Sequence, residues 1–377
     1  MKKILLVLVL FLLAIGGYYT WRMWKEVFGP GVHFPDTEKV LLIPRGADFA
    51  EVMDSLRAEG LVQDEKALNW LAKQKHYVEK VRPGRYVVPN GMSMNALINK
   101  LRSGEQDPVR ITFTNIKNIP ELAGQVSKYI EADSTEVINV ILSPKTAKRL
   151  GLTRQTIISL FLPNTYEVWW TVTPDELIDR FAKEYKRFWT PDRQAAAKAL
   201  GLTRSEVSTL ASIVQAETGK AADAPTIASV YLNRLRIGMP LQADPTLKYA
   251  LGVDTLSRLL TADMRIDSPY NTYTHTGLPP GPINLPEPRF IDAVLHPAKT
   301  DYLYFCARED LSGYSNFTKT YEQHMVNAKR YQRALNERGI YRCAVVRCCS
   351  IKARCRPPLP IATCPLCPSW YEFRTLR

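Results

Sequence analysis

Thr203-Arg-Ser-Glu-Val-Ser-Thr-Leu-Ala-Ser-Ile-Val-Gln-Ala-Glu217-Thr-Gly219 opens on a capping box and closes near a glycine. Thr203, followed three residues later by Glu206, can satisfy two of the free amides at a helix start, so the spacing predicts a helix beginning after Thr203. Val207, Leu210, Ala211 and Val214 then fall within a band of roughly 100° on that helix, the width of a core-facing stripe. The stretch reads as an amphipathic helix with Glu217 at the edge of its apolar side, in the last turn. Partial burial disfavours a carboxylate, and the negative end of the helix dipole opposes it further. Glu217 is therefore a candidate proton donor near neutral pH. The plainer alternative is a glutamate on the helix rim.

Two polar motifs downstream favour the chemical reading. Gln242, Asp244 and Thr246 punctuate a turn built on Pro245, and Asp244 is the only nearby second carboxylate. Asn271, Tyr273, Thr274, His275 and Thr276 crowd a segment bounded by Pro269 and by Gly277-Leu-Pro-Pro-Gly281. Amides, hydroxyls and aromatic faces held by stiff prolines are what a saccharide groove needs. A serine nucleophile has no support, because Ser212 has no adjacent histidine. The five histidines show no metal-ligand spacing, and neither a metal nor a nucleotide cofactor is expected.

Upstream, the pattern is α+β. Val40–Ile43 reads as a strand, Pro44–Gly46 as a turn, and Phe49, Val52, Met53 and Leu56 recur at helical spacing up to Gly60. A helix over Lys66–Gln74, a strand over Pro83–Val88 and a Ser93-capped helix through Leu101 complete a compact unit over residues 38–106. That unit suits a carbohydrate-binding module or a spacer. A larger α+β domain over residues 107–341 begins with a strand at Arg110–Thr114 and a helix over Ile119–Ile130. Within it, Thr173-Pro-Asp-Glu176 caps a helix through Phe188.

The two ends differ in kind from this middle. Ile4 to Trp21 is an uncharged run of 18 residues behind Lys2 and Lys3, close to the roughly 20 needed to cross a hydrocarbon core. With Tyr18, Tyr19, Trp21 and Trp24 at its far end, residues 1–24 read as a single-pass anchor with the short basic end in the cytoplasm. A cleaved signal peptide is the alternative, with Ala14–Gly17 as its weak cleavage candidate. Residues 342–377 hold six of the seven cysteines and six of the thirteen net positive charges. Despite Cys364-Pro-Leu-Cys367, their Pro- and Arg-rich composition reads as a disordered or aberrant tail rather than a zinc site. The mild surplus over the remainder suits an anionic wall polymer and lacks the dense patch expected of a nucleic-acid binder.

Several ordered blocks carry a resemblance. They are Ala211-Ser-Ile-Val-x-x-Glu217, Tyr231-Leu-Asn-Arg-Leu235, Leu241-Gln-x-Asp-Pro-Thr246, Tyr270-Asn-Thr-Tyr273, Thr276-Gly-Leu-Pro-Pro-Gly281, His296-Pro-Ala-x-x-x-Tyr-Leu-Tyr-Phe305 and Phe317-Thr-x-Thr-Tyr-x-x-His324. Together they resemble the YceG-like family, which contains endolytic murein transglycosylases, over roughly residues 40–340. Leu162-Pro-Asn-Thr-Tyr166 departs from that pattern, with Asn164 where the family usually has an acid.

The resemblance implies a LysM-like subdomain at residues 38–106 and a catalytic domain facing outward from a bacterial inner membrane. It implies cleavage of the β-1,4 bond between N-acetylmuramic acid and N-acetylglucosamine in nascent strands, with 1,6-anhydro ends and a role in terminating elongation. Glu217 would be catalytic, and Gln242, Asp244, Thr246, Asn271 and Tyr273 would line the groove. Wall synthases (penicillin-binding proteins) are the implied partners. Chemistry leaves two alternatives: a hydrolytic muramidase using Glu217 with Asp244, or a non-catalytic peptidoglycan-binding scaffold.

Overall fold

The computed structural model describes residues 2–62, 64–253, 259 and 263–338, so the expected tail lies outside the described residues. The architecture is mixed α and β, with strands confined to three two-stranded antiparallel sheets among the described residues. The fold class expected from the sequence is α+β, and this arrangement agrees with it.

Helix α1 (Lys2–Phe28) leads into the first hydrophobic core. Among the described residues no helix is long and apolar enough to cross a membrane. The side chains of Lys2, Lys3, Leu5 and Val7 lie outside the description. The anchor expected from residues 1–24 is therefore not shown by the fold.

Five elements build the first core: β1 (Glu38–Ile43), α2 (Phe49–Ala58), α3 (Glu65–Gln74), β2 (Gly84–Pro89) and α4 (Met94–Ser103). β1 and β2 pair antiparallel with Glu38 opposite Pro89 and Ile43 opposite Gly84. That register turns Leu41, Ile43, Tyr86 and Val88 inward, against Leu56, Leu68, Leu97 and Ile98 of the helices. Each such side chain contributes about 1.5–3 kcal/mol on burial. Each helix starts where a side chain can cap it: Asp48 with Glu51 for α2, Asp64 for α3 and Ser93 for α4.

A second, larger core runs from Val109 to Leu295. Its front part is β3 (Val109–Phe113), α5 (Ile119–Val126), α6 (Ser134–Ile141), α7 (Pro144–Leu150), β4 (Asn164–Val168), α8 (Pro174–Phe188) and α9 (Pro191–Ala199). β3 pairs antiparallel with β4, which brings Phe113 and Tyr166 into a ring stack at 5.3 Å with Phe181 of α8 edge-on to both. The back part is α10 (Arg204–Glu217), α11 (Ala224–Arg236), α12 (Asp244–Leu251), α13 (Pro288–Leu295), β5 (Tyr304–Ala307), β6 (Ser315–Thr318) and α14 (Tyr321–Glu337). The two cores are joined at the surface by Arg45, whose backbone N–H and Nε donate to Glu131 Oε1 and Oε2, each at 2.8 Å.

The structure corrects three local readings. The helix from Ile119 ends at Val126, and Ile130 reaches the core from the loop beyond it. Helix α10 is not amphipathic: Val207 through Val214 are buried without interruption, because α9, α11, α12 and α13 surround it. Its polar residues survive there by bonding within the helix, Ser208 to the Arg204 carbonyl, Thr209 to that of Ser205 and Ser212 to that of Thr209. Asp244-Pro-Thr, read as a turn, is the first turn of α12, with Pro245 at the position where a missing N–H costs nothing.

Candidate active site

Glu217 is the last residue of α10, and the chain leaves the helix at Thr218 in an extended conformation. The residue keeps part of its surface, yet its carboxyl is surrounded by protein. Oε1 accepts a hydrogen bond from the Tyr231 hydroxyl of α11 at 2.8 Å. Oε2 makes no hydrogen bond among the described residues. That oxygen is left without a protein partner in a residue that is half-buried as a whole.

Burial is the dominant influence on this carboxyl and pushes its pKa to about 7. The Tyr231 hydrogen bond opposes that rise, the nearby Asp244 carboxylate adds to it, and the cations Arg234 and Lys248 pull it back. Tyr231 keeps its own proton, since burial and then Glu217 hold its pKa well above the usual phenol value. Three residues further along α11, Arg234 is buried and donates from Nε to the Leu303 carbonyl and from Nη1 to that of Leu241, at 2.7 and 2.6 Å. A guanidinium clamped by two carbonyls keeps its orientation but gains little neutralisation, so its charge acts on Glu217.

The two downstream motifs, far apart in sequence, are zipped together. Gln242 N–H donates to the Thr272 carbonyl at 2.9 Å, Ala243 N–H to Thr272 Oγ1 at 3.0 Å, and Thr246 and Thr272 hydroxyls meet at 2.9 Å. Gln242 adopts a left-handed φ of 50°, a sparsely populated conformation held by this pairing, and its side chain is exposed. Asp244 is exposed as well and accepts the Tyr273 hydroxyl at Oδ1.

Thr246 and Asn271 differ from expectation. Both are fully buried, and their polar atoms are spent internally. Asn271 Nδ2 donates to the Met264 and Ile266 carbonyls at 3.0 and 2.9 Å, while its Oδ1 receives the Tyr273 N–H at 3.0 Å. Such side chains shape the loop that carries Tyr273 rather than present a surface to a saccharide. Gln242, Asp244 and Tyr273 are the expected groove residues that reach the exterior.

Helix α10 also anchors the segment after the proline-rich loop. Ser212 Oγ accepts the Ile283 N–H at 3.0 Å, and the Gln215 side chain takes the Glu287 N–H at 2.7 Å. A cavity of about 650 Å³ lies along α11 and includes Ser229, Asn233, Arg236, His296, Lys299 and Thr300, but not Glu217. Its residues belong to a face of α11 distinct from Tyr231, so it is a separate hollow from the Glu217 site. Tyr231 and Arg234 were not singled out by the sequence reading. Their i, i+3 spacing inside the Tyr231-Leu-Asn-Arg234 block was the available signal, since it puts both on one helix face.

Fold and site define an α+β protein with a shielded carboxyl at a helix end beside a polar loop. The chain belongs to the YceG-like family, whose model matches residues 41–330. It is 30% identical over 344 residues to the endolytic murein transglycosylase of Bacillus subtilis (strain 168), covering 86% of this chain and 93% of that protein. It is 29% identical over 326 residues to a protein of the same name from Streptococcus pneumoniae serotype 2 (strain D39 / NCTC 7466), covering 78% of this chain but only 59% of that relative. A crystal structure at 2.6 Å of a putative yceG-like protein from Listeria monocytogenes aligns with a TM-score of 0.53 at 25% identity, over 77% of this chain and 98% of that one.

Proposed function

We propose that this protein is a peptidoglycan lytic transglycosylase that cuts glycan strands internally, with Glu217 as its catalytic acid and base. The observation that carries the reading is the state of Glu217: a shielded carboxyl with a pKa of about 7, one oxygen bonded to Tyr231 and the other without a protein partner. Family membership and the names of its relatives supply the polymer.

The chemistry balances on this one residue. The protonated carboxyl of Glu217 gives its proton to the glycosidic oxygen as the C1–O bond of N-acetylmuramic acid breaks. The resulting carboxylate then takes the proton of the sugar's own C6 hydroxyl as O6 bonds to C1. Water is not consumed, a 1,6-anhydro end forms, and Glu217 returns to its starting state. A pKa near neutrality suits both halves, because neither form is far from reach. Asp244 engages the Tyr273 hydroxyl, which occupies one of its oxygens and blunts it as a nucleophile.

Within this proposal residues 38–106 form the LysM-like module and residues 107–341 the catalytic domain, each with its own hydrophobic core. The α1 segment would anchor the enzyme to the bacterial inner membrane with its catalytic domain outside. The support is the 18-residue uncharged run and apolar side chains such as Leu12, which is 64% exposed and needs a non-aqueous cover. Recruitment beside wall synthases and termination of nascent strands would follow from that location.

The test is digestion of purified sacculi by the wild type and by Glu217→Gln, with mass spectrometry of the products. Anhydro-muramic ends from the wild type alone are expected. Reducing muramic ends would make the enzyme a hydrolytic muramidase, and equal release by Glu217→Gln would remove the residue from the chemistry.

A further inference from the structure

A carboxyl that acts first as acid and then as base must be held in one place through both steps. Oxygen Oε1 of Glu217 is already held, by the hydroxyl of Tyr231 at 2.8 Å. The tyrosine ring is 1% exposed and packs edge-on against Phe305 of β5 with centroids 5.9 Å apart, so the donor cannot swing away. Oxygen Oε2 makes no such bond among the described residues.

We propose that Tyr231 is a positioning residue for the reaction: its hydroxyl pins Oε1 from the interior and leaves Oε2 as the oxygen that meets the glycosidic bond. This rests on the reading of Glu217 as the acid and base. The division of labour follows from geometry. Were both oxygens free, the carboxyl could rotate, and a proton on either oxygen could face away from the substrate. With Oε1 committed as an acceptor, the proton is confined to Oε2. After it is transferred, the same phenol bond stabilises the carboxylate that must next remove the C6 proton.

The charged and titratable groups facing Glu217 come from every side. Arg234 lies on the same helix as Tyr231, Asp244 and Lys248 on α12, and Tyr273 on the polar loop. Behind Arg234 stand Tyr304, whose ring lies 5.4 Å from its guanidinium, and His324, which stacks on Tyr304 at 5.5 Å. Among the described residues Tyr231 alone makes a direct hydrogen bond to the Glu217 carboxyl. Removing that bond should therefore change the proton affinity of Glu217 in a known direction, upward, because the bond favours the charged form.

The experiment measures the pH dependence of fragment release from sacculi by the wild type, Tyr231→Phe and a variant carrying 3-fluorotyrosine at 231. Loss of the hydroxyl should lower kcat roughly tenfold or more with little change in KM, and should move the alkaline limb of the profile up by about one pH unit. Fluorotyrosine is the more acidic donor and should move the same limb down. Opposite displacements are not produced by a purely structural role. If Tyr231→Phe fails to fold, the fluorotyrosine arm decides alone, and an unmoved limb there overturns the proposal. An unmoved limb with unchanged kcat in folded Tyr231→Phe also overturns it.

A substrate-free readout separates this idea from the proposed activity. The carboxyl ¹³C titration of Glu217, assigned by its loss in Glu217→Gln, should shift upward in Tyr231→Phe. If Glu217→Gln retains activity but the titration shifts, the catalytic reading fails and the coupling stands. If the titration does not shift, the coupling itself is wrong.

Discussion

The shielding that tunes Glu217 should be visible in the stability of the protein. In an unfolded chain its pKa is near the ordinary 4.5, and in the fold it is about 7. Between those values the folded state binds more protons than the unfolded state, so stability falls as pH rises through that window and levels off above it. A difference of this size corresponds to about 3 kcal/mol at the 1.36 kcal/mol per unit that links pKa to free energy. Glu217→Gln removes the titration while keeping the volume and an acceptor for Tyr231. At pH 4.5 the variant and the wild type should have nearly the same unfolding free energy. At pH 8 the variant should be the more stable, by up to about 3 kcal/mol, although it is inactive. Urea unfolding followed by circular dichroism at pH 4.5, 6 and 8 measures this directly. A difference between the two proteins that does not grow with pH would refute the claim that burial sets the state of Glu217.

Three further outcomes are expected. Wild-type fragment release should decline tenfold per pH unit above about 7, as Glu217 loses the proton it must donate; a profile still flat at pH 9 would exclude it as the acid. Asn271→Ala strands two carbonyls and the Tyr273 N–H, and should cost about 2–4 kcal/mol in denaturant unfolding while raising KM through the loosened loop. Gly281→Ala would drive a methyl into the Gln155 carbonyl oxygen, so the purified variant should melt lower by an amount equivalent to about 1–3 kcal/mol, with unchanged melting counting against so close an approach.

The site was partly legible in the chain because its local signals are strong. Three-residue capping spacings at Thr173 and Thr203 mark helix starts, and each forms a capping box in the fold. Glu217 could be placed at a helix end from nothing more than the distance to Thr203 and the apolar residues between, whereas its raised pKa follows from burial and from groups on other elements. The groove residues were harder. Thr246 and Asn271 have the same polar character as Gln242 and Tyr273, and composition does not say which of two hydroxyls or amides faces inward. That depends on the pairing of Gln242–Thr246 with Thr272, a contact between segments almost thirty residues apart.

What the sequence by itself determined is therefore the local grammar: the helix that ends at Glu217, the alternation of strands and helices in the first unit, and the family to which the ordered blocks point. Tertiary structure alone decided the environment of the carboxyl. The unbroken burial of Val207 through Val214 in α10, the phenol of Tyr231 on Oε1 and the carbonyl-clamped charge of Arg234 all arise where separate elements meet. Capping and periodicity act over three or four residues and can be read along the chain. The proton affinity of Glu217 is set by groups brought within a few ångströms only by packing, and no spacing in the sequence encodes that distance.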